Sequence, residues 1–494
     1  MKKILSLFII ATLSTSIYAQ RKDLTPRVDI EGVLKISYND FPKGTPILVM
    51  NVIKLSSDVQ LAVSINNTQI SIPSNQAKKI VELHPKTMEQ FWMAEYIKSN
   101  MFEYYDNKGY RFALRQELTE ESNDYLSGIS DLYYKDAYII DYVKTIFCGI
   151  APKDFNKKRP EYADLKIIQS PTPYANMLAN GTLLISTGLL TTLDSVEELT
   201  AIIASGIAHY VMDHPLLNVQ KEISRARRAE FWGGFLVAVA GGLEIALTEN
   251  NDNYIPGGIL LTAAVADEAL NYSAIKRLGM GYTNKQRKQA DKIAVEFLKF
   301  ANMDPAALTS ALTKIRNYYQ REHRQYNEDE KTFGNLNQRL ADLGDGKEFS
   351  NRTYQKTMAN VTTRNAIIQL NSHNYEAARR LVIKKINTNI ANDEDYVVLV
   401  KANMELTNTQ EGNERCLELI QEAKVLSDIP NLELYKQEIL VLLRLNKQAK
   451  ATDVLKEYVA LLTDFKAEST DNDAEWAMEE IQWANKLYQQ LEMF

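Results

Sequence analysis

Residues 195–215, SVEELTAIIASGIAHYVMDHP, constrain the fold more than any other stretch of the chain. Val196, Leu199, Ile203, Ile207 and Tyr210 recur three or four apart, the spacing of an amphipathic helix. Ser195 followed by Glu198 reads as a capping box at its start, and Pro215 is expected to stop it. Ser205 and His209 then stand one turn apart on one face.

At 494 residues the chain exceeds what one core serves, and two or three domains are expected. A formal charge of −6 with no basic patch argues against a nucleic-acid partner. The first residues, MKKILSLFIIATLSTSIYAQ, combine a basic start, a short apolar run and small residues before Ala19. This reads as a signal peptide, residues 1–19, and predicts an exported protein, periplasmic or extracellular in an envelope of the Gram-negative type. The apolar run falls short of the ~20 residues of a membrane span. No cysteine near the cut suggests a lipoprotein. The only thiols, Cys148 and Cys416, fall in different regions and are expected to be buried separately.

Residues 20–80 read as a small β-rich domain. Val59, Leu61, Val63 and Ile65 alternate, and Asn66-Asn67 turns the chain toward Ile70 and Ile72. Residues 81–130 form a mixed connecting region, with a helix after Pro85 and a more strand-like YYDNKGYRFAL. Residues 131–345 look like one α+β unit: helix DAYIIDYVKTIFCGI, strand ADLKIIQS, strand GTLLISTGLL, the helix of 195–215, and a helix from about Thr283 to Ala301. The apolar stretch 229–247 holds four glycines and Glu244, which favours a buried segment over membrane association. Residues 319–350 are polar and glycine-bearing and read as a surface loop or linker. Residues 346–494 are helical, and three segments recur at a period of ~36, near the tetratricopeptide length. A plain helical bundle is the competing reading. The fold class is therefore α+β: a mostly helical central domain with a small sheet, a small β domain before it and helical repeats after it.

The central unit resembles the HtpX/BepA type of zinc metallopeptidase. Family members carry NAFALPGGYIFVTTGLL just before a helix bearing HExxH. Residues 174–190 read YANMLANGTLLISTGLL and keep Ala175, Leu178, Gly181, Ile185, Thr187, Gly188, Leu189 and Leu190. Further on, the family's ExxAD and AGYDPxAA correspond to Arg287 through Asp291 and to ANMDPAA at 301–307. A weaker match is KTFGNLNQRL at 331–340, where family members often have THP and then an Arg. The order of signal peptide first and helical repeats last also resembles BepA.

In HExxH the two His bind zinc and the Glu is the general base. The resemblance puts Ser205 at the first His, Gly206 at the catalytic Glu, His209 at the second His and Arg287 at the Glu ligand, and it keeps Asp291 as an acid near the metal. A catalytic zinc needs three protein ligands and a water, and a guanidinium repels a dication. Gly206 supplies no base. The expectation is no zinc, no cofactor and no hydrolysis by the family mechanism, and hence a pseudopeptidase. Arg287 is expected to fill the vacated position by pairing with Asp291 or a helix terminus; gripping a carboxylate ligand is its alternative role. His209 is expected to bond Asp291 or Ser205. Asp213 could share its face as half of a metal site, whereas His214 is expected to point away. The five histidines, at 84, 209, 214, 323 and 373, form no visible cluster. Ser205 with His209 as nucleophile and base lacks an oxyanion hole.

The function expected is protein or peptide binding, with a role in envelope protein assembly or quality control as the resemblance implies. Strand addition beside the zinc helix and a concave repeat surface are the candidate modes. The alternatives are an active zinc endopeptidase with an atypical site and a purely structural repeat scaffold.

Overall fold

The computed structural model describes residues 27–54, 59–104, 110–153, 163–220, 278, 280–322, 334–426, 429–469 and 471–492. The signal peptide of residues 1–19, the apolar stretch 229–247 and His323 lie outside the described residues.

The N-terminal alternation folds as an antiparallel sheet: β1 (Arg27–Leu34), β2 (Pro46–Lys54), β3 (Val59–Ile65), β4 (Thr68–Pro73) and β5 (Val81–Leu83), in the order β4-β3-β2-β1-β5. Asn66 and Asn67 both have positive φ, at 48° and 63°, as a two-residue hairpin between β3 and β4 requires. Helix α1 (Met88–Lys98) follows, then α2 (Tyr110–Gly128) and α3 (Ala137–Ile150). Tyr110 to Leu114, expected in a strand, opens α2 instead; Leu114 and Leu118 of that helix pack against Leu216 and Val219.

A second sheet carries β6 (Asp164–Ile168), β7 (Ala175–Met177) and β8 (Thr182–Ser186) in the order β6-β8-β7. The β6 strand runs parallel to β8, while β7 pairs antiparallel with β8 and has no second strand partner among the described residues. Every residue of β8 is buried. The chain then turns through α4 (Thr187–Thr192) into α5 (Val196–Val211), the helix read first from the sequence. Ser195 Oγ accepts from the Glu198 amide at 3.2 Å, but the Glu198 carboxylate reaches the Asp194 amide rather than that of Ser195. The helix ends earlier than Pro215: Asp213 adopts a left-handed conformation (φ 51°) and starts α6 (His214–Val219), in whose first turn Pro215 lies.

Helices α7 (Asn284–Phe300) and α8 (Ala306–Glu322) pack against α5, and α9 (Leu336–Leu343) closes over both. Two stretches of the region read as a surface loop are thus helical, because Leu336 and Leu340 carry α9 onto the core. One apolar core runs from Val28 in the first sheet through α1, α3, the second sheet, α5, α7 and α8 to Tyr354, Met358 and Val361. Trp92 on α1 joins the parts: its indole donates to Ile150 O at 2.7 Å, and its ring stacks on Phe297.

After α10 (Arg352–Thr357) come α11 (Ala359–Asn371), α12 (Tyr375–Asn387), α13 (Asp393–Leu406), α14 (Gln410–Lys424), α15 (Leu432–Arg444), α16 (Gln448–Glu468) and α17 (Asp471–Glu492). Each helix packs on the next, and α13 also touches α11 and α15, the pattern of a stacked helical repeat. The helices α12, α14 and α16 begin at residues 375, 410 and 448, close to the period in the sequence. Cys416 is buried in this array, but Cys148 is exposed on the outer face of α3, contrary to expectation. Both thiols are free.

Candidate functional site

The residues singled out on α5 and α7 do meet. Ser205 Oγ donates to Asp291 Oδ1 at 3.3 Å, and both are buried. Asp291 is held chiefly by Arg339 on α9, which donates from Nε to Oδ2 at 2.8 Å and from Nη2 to Oδ1 at 2.6 Å. This two-pronged pair has both charges buried and hydrogen-bonded. The partner expected for Asp291, Arg287, is instead engaged elsewhere: its Nε donates to Tyr282 O at 3.2 Å. Its guanidinium carbon lies 5.6 Å from the centre of the Tyr282 ring. Gly334 crosses directly over Arg287. A β-carbon there would fall 2.3 Å from Arg287 Nε, and the φ of +69° is itself one that glycine tolerates best.

His209 departs from expectation too. Its Nδ1 lies 2.9 Å from His214 Nδ1, so His214 faces it rather than pointing away. The left-handed turn at Asp213 swings the start of α6 back against the end of α5. Asp213 accepts from Arg115 Nη2 at 2.8 Å, and this buried ion pair takes it out of any metal site with His209. Two imidazoles joined through Nδ1 must be in opposite protonation forms, one presenting N–H and the other its lone pair. Burial first, then His214 and the Arg287 and Arg339 guanidiniums, hold His209 well below its ordinary pKa. Burial pulls His214 down to about 4, against opposing pulls from Gln289 and Asp213. Both rings are neutral at pH 7.

Tyr282, just before α7, fills the space that remains. Its ring stacks on His209 with centroids 3.6 Å apart and planes at 25°. Its hydroxyl donates to Met177 O at 2.7 Å. Leu178 N bonds Thr182 O and Ser186 N bonds Tyr174 O, so Tyr174 and Leu178 turn toward β8. By the alternation of an antiparallel pair, Ala175 and Met177 turn their backbone groups outward, away from β8. Tyr282 thus caps one of the acceptors an added strand would use. What space is left beside Ser205, Gly206 and His209 is a cavity of about 30 Å³, enough for a water molecule and far too small for a side chain. Gly206 faces β8: a β-carbon on it would lie 2.9 Å from Leu183 Cδ1.

This donor set does not fit a catalytic zinc. His209 has its Nδ1 engaged, the nearby Asp291 carboxylate is saturated by Arg339, and Arg287 adds a buried positive charge beside them. Among the described residues, no three His, Cys, Asp or Glu side chains gather closely enough to hold a metal ion. His84 and His373 are remote from this site, near Glu82 and Tyr375.

Residues 140–366 match the model of Peptidase family M48. The centre of the chain is an M48 peptidase-like domain. No curated protein matches the chain. The M48 match ends at 366, and the apolar core likewise runs past 345 to Val361. Sequence reasoning missed two residues of the M48-like site. Arg339 had a signal, the Arg of KTFGNLNQRL, but it lay in a stretch read as linker. Tyr282 had none, because its role depends on the distance between α7 and the β7 edge.

Proposed function

We propose that the chain is an exported pseudopeptidase: an M48-like domain without zinc or peptide hydrolysis, joined to helical repeats, that acts by binding protein or peptide. The observation that carries this reading is the buried Arg287 at the family's third-ligand position, bonded to Tyr282 O while Arg339 saturates Asp291. A general base is also lacking at Gly206, and the nearby imidazoles are neutral and bonded to each other. Tyr282 stands against strand addition at β7, so recognition moves from the old cleft toward the repeats. The repeats resemble tetratricopeptide units in length and pairing, and such arrays present a concave surface. A place in envelope protein assembly or quality control follows from the resemblance to BepA together with the signal-like N-terminus.

The test is metal analysis of the purified protein together with casein cleavage with and without a chelator. Less than a tenth of an equivalent of zinc and no chelator-sensitive cleavage is the expected result. Stoichiometric zinc with chelator-sensitive cleavage would replace this reading with that of an active endopeptidase.

A further inference from the structure

The repeat region holds a groove of about 540 Å³ between α11, α13, α15, α16 and α17, within the size range of ligand-binding clefts. Its apolar lining includes Leu370, Val397, Leu461, Phe465 and Trp476. Phe465 and Trp476 meet edge to face with centroids 5.8 Å apart and remain partly exposed. Ile429 stands at the mouth with 78% of its surface exposed, beside Pro430. An apolar cleft of this kind with an exposed isoleucine at its rim is unusual on a surface facing only water.

The charged residues around it are almost all of one sign. Asp393, Glu394, Glu433, Asp464 and Glu468 line the groove, and Lys401, the one cation among the described lining residues, is bound to Glu433 at 2.6 Å. Asp393 and Glu394 have a structural reason to be there, since they lie in the first turn of α13 and favour its dipole. Asp464 and Glu468 have the opposite position. They occupy the last turns of α16, where negative charge opposes the dipole. Neither has an ion-pair partner among the described residues, and Glu394 lacks one as well. The pKa of Glu394 is raised by desolvation and then by Asp395 and Asp393, against opposing pulls from Lys385 and Arg364.

We infer that this groove binds a polypeptide segment carrying large apolar side chains next to Lys or Arg. The apolar side chains would lie against Phe465, Trp476 and Val397, and the cations would neutralise Asp464, Glu468 and Glu394. A cationic segment complements the acidic rim while its apolar side chains cover the floor, whereas an anionic one would be repelled. The inference rests on the protein-binding reading for the occupant being a polypeptide, but it does not depend on whether the M48-like domain is catalytically dead.

Fluorescence anisotropy on the full chain tests it, with a labelled decapeptide of alternating Leu and Lys and its counterpart with Glu at every Lys. The lysine peptide should bind saturably at one per chain, at least about tenfold tighter than the glutamate peptide, and weaken as salt is raised. The exposed pair D464K/E468K should weaken it by about tenfold or more with an unchanged circular dichroism spectrum. Ile429→Ser should weaken it without altering charge selectivity. No saturable binding, equal affinity for the two peptides, or indifference to D464K/E468K would overturn the assignment. So would self-association of the chain that these substitutions abolish, which would make a second copy the occupant. Zinc content and casein cleavage are read separately, so failure here and failure of the pseudopeptidase reading remain distinct.

Discussion

Arg339 and Asp291 are both buried and bonded through two hydrogen bonds, so their contribution is set by what removal leaves behind. Arg339→Ala strands a buried carboxylate and should cost about 3–5 kcal/mol in urea unfolding. The paired replacement R339M/D291L should cost much less, because neither charge is then left behind. His214 gives a pH signature. Its ring takes up a proton below about 4 when folded and below about 6.5 when unfolded, so the unfolded chain binds more protons between those values. The His214 contribution to stability should therefore fall as pH drops from about 6.5 to about 4, by at most about 3 kcal/mol, and only that contribution levels off below it. Urea titrations across this range should show a shallower fall for His214→Gln.

At the scale of elements, the turn from β8 through α4 into α5 depends on small features that can be probed singly. Ser195→Ala removes the acceptor for the Glu198 amide and should cost about 1 kcal/mol. Gly188 opens a tighter constraint: a β-carbon there would lie 2.2 Å from Pro171 O, a backbone atom with nowhere to go. Gly188→Ala should lower stability by about 1–3 kcal/mol or more, seen as a lower melting temperature. That clash gives a physical reason for a glycine in the STGLL segment. The same turn is tied to the repeats. Asn365 on α11 bonds Thr187 and Thr191, and Lys384 on α12 reaches Asp194 and Thr191 O. Lys314 joins Asp194 to the buried Glu198 of α5. The repeats are therefore connected to the M48-like domain by charged and polar contacts.

At the scale of the molecule, the first sheet and the M48-like domain share one core, whereas the last repeat helices have their own around Ile439, Leu455 and Tyr458. Trp92→Ala should cost about 3–5 kcal/mol, because it removes a fully buried ring that bridges α1, α3 and α7. Heating should then show the helical and β-sheet circular dichroism signals lost together at lower temperature. Independent transitions for the two would mean that the shared core does not couple them.

Periodicity made α5, the hairpin at Asn66-Asn67 and the recurring C-terminal helices legible, because each is set by residues close in sequence. That Ser205, Gly206 and Arg287 are poor cation ligands was legible too, since side-chain chemistry alone says what can bind a cation. The pairings were not. That Arg339 rather than Arg287 holds Asp291, that His214 turns back to His209, and that Tyr282 closes the β7 edge all depend on distances across elements far apart in sequence. Spacing along one helix fixes which residues share a face, but only the packing of α5, α7, α9 and β7 against one another decides which of them meet.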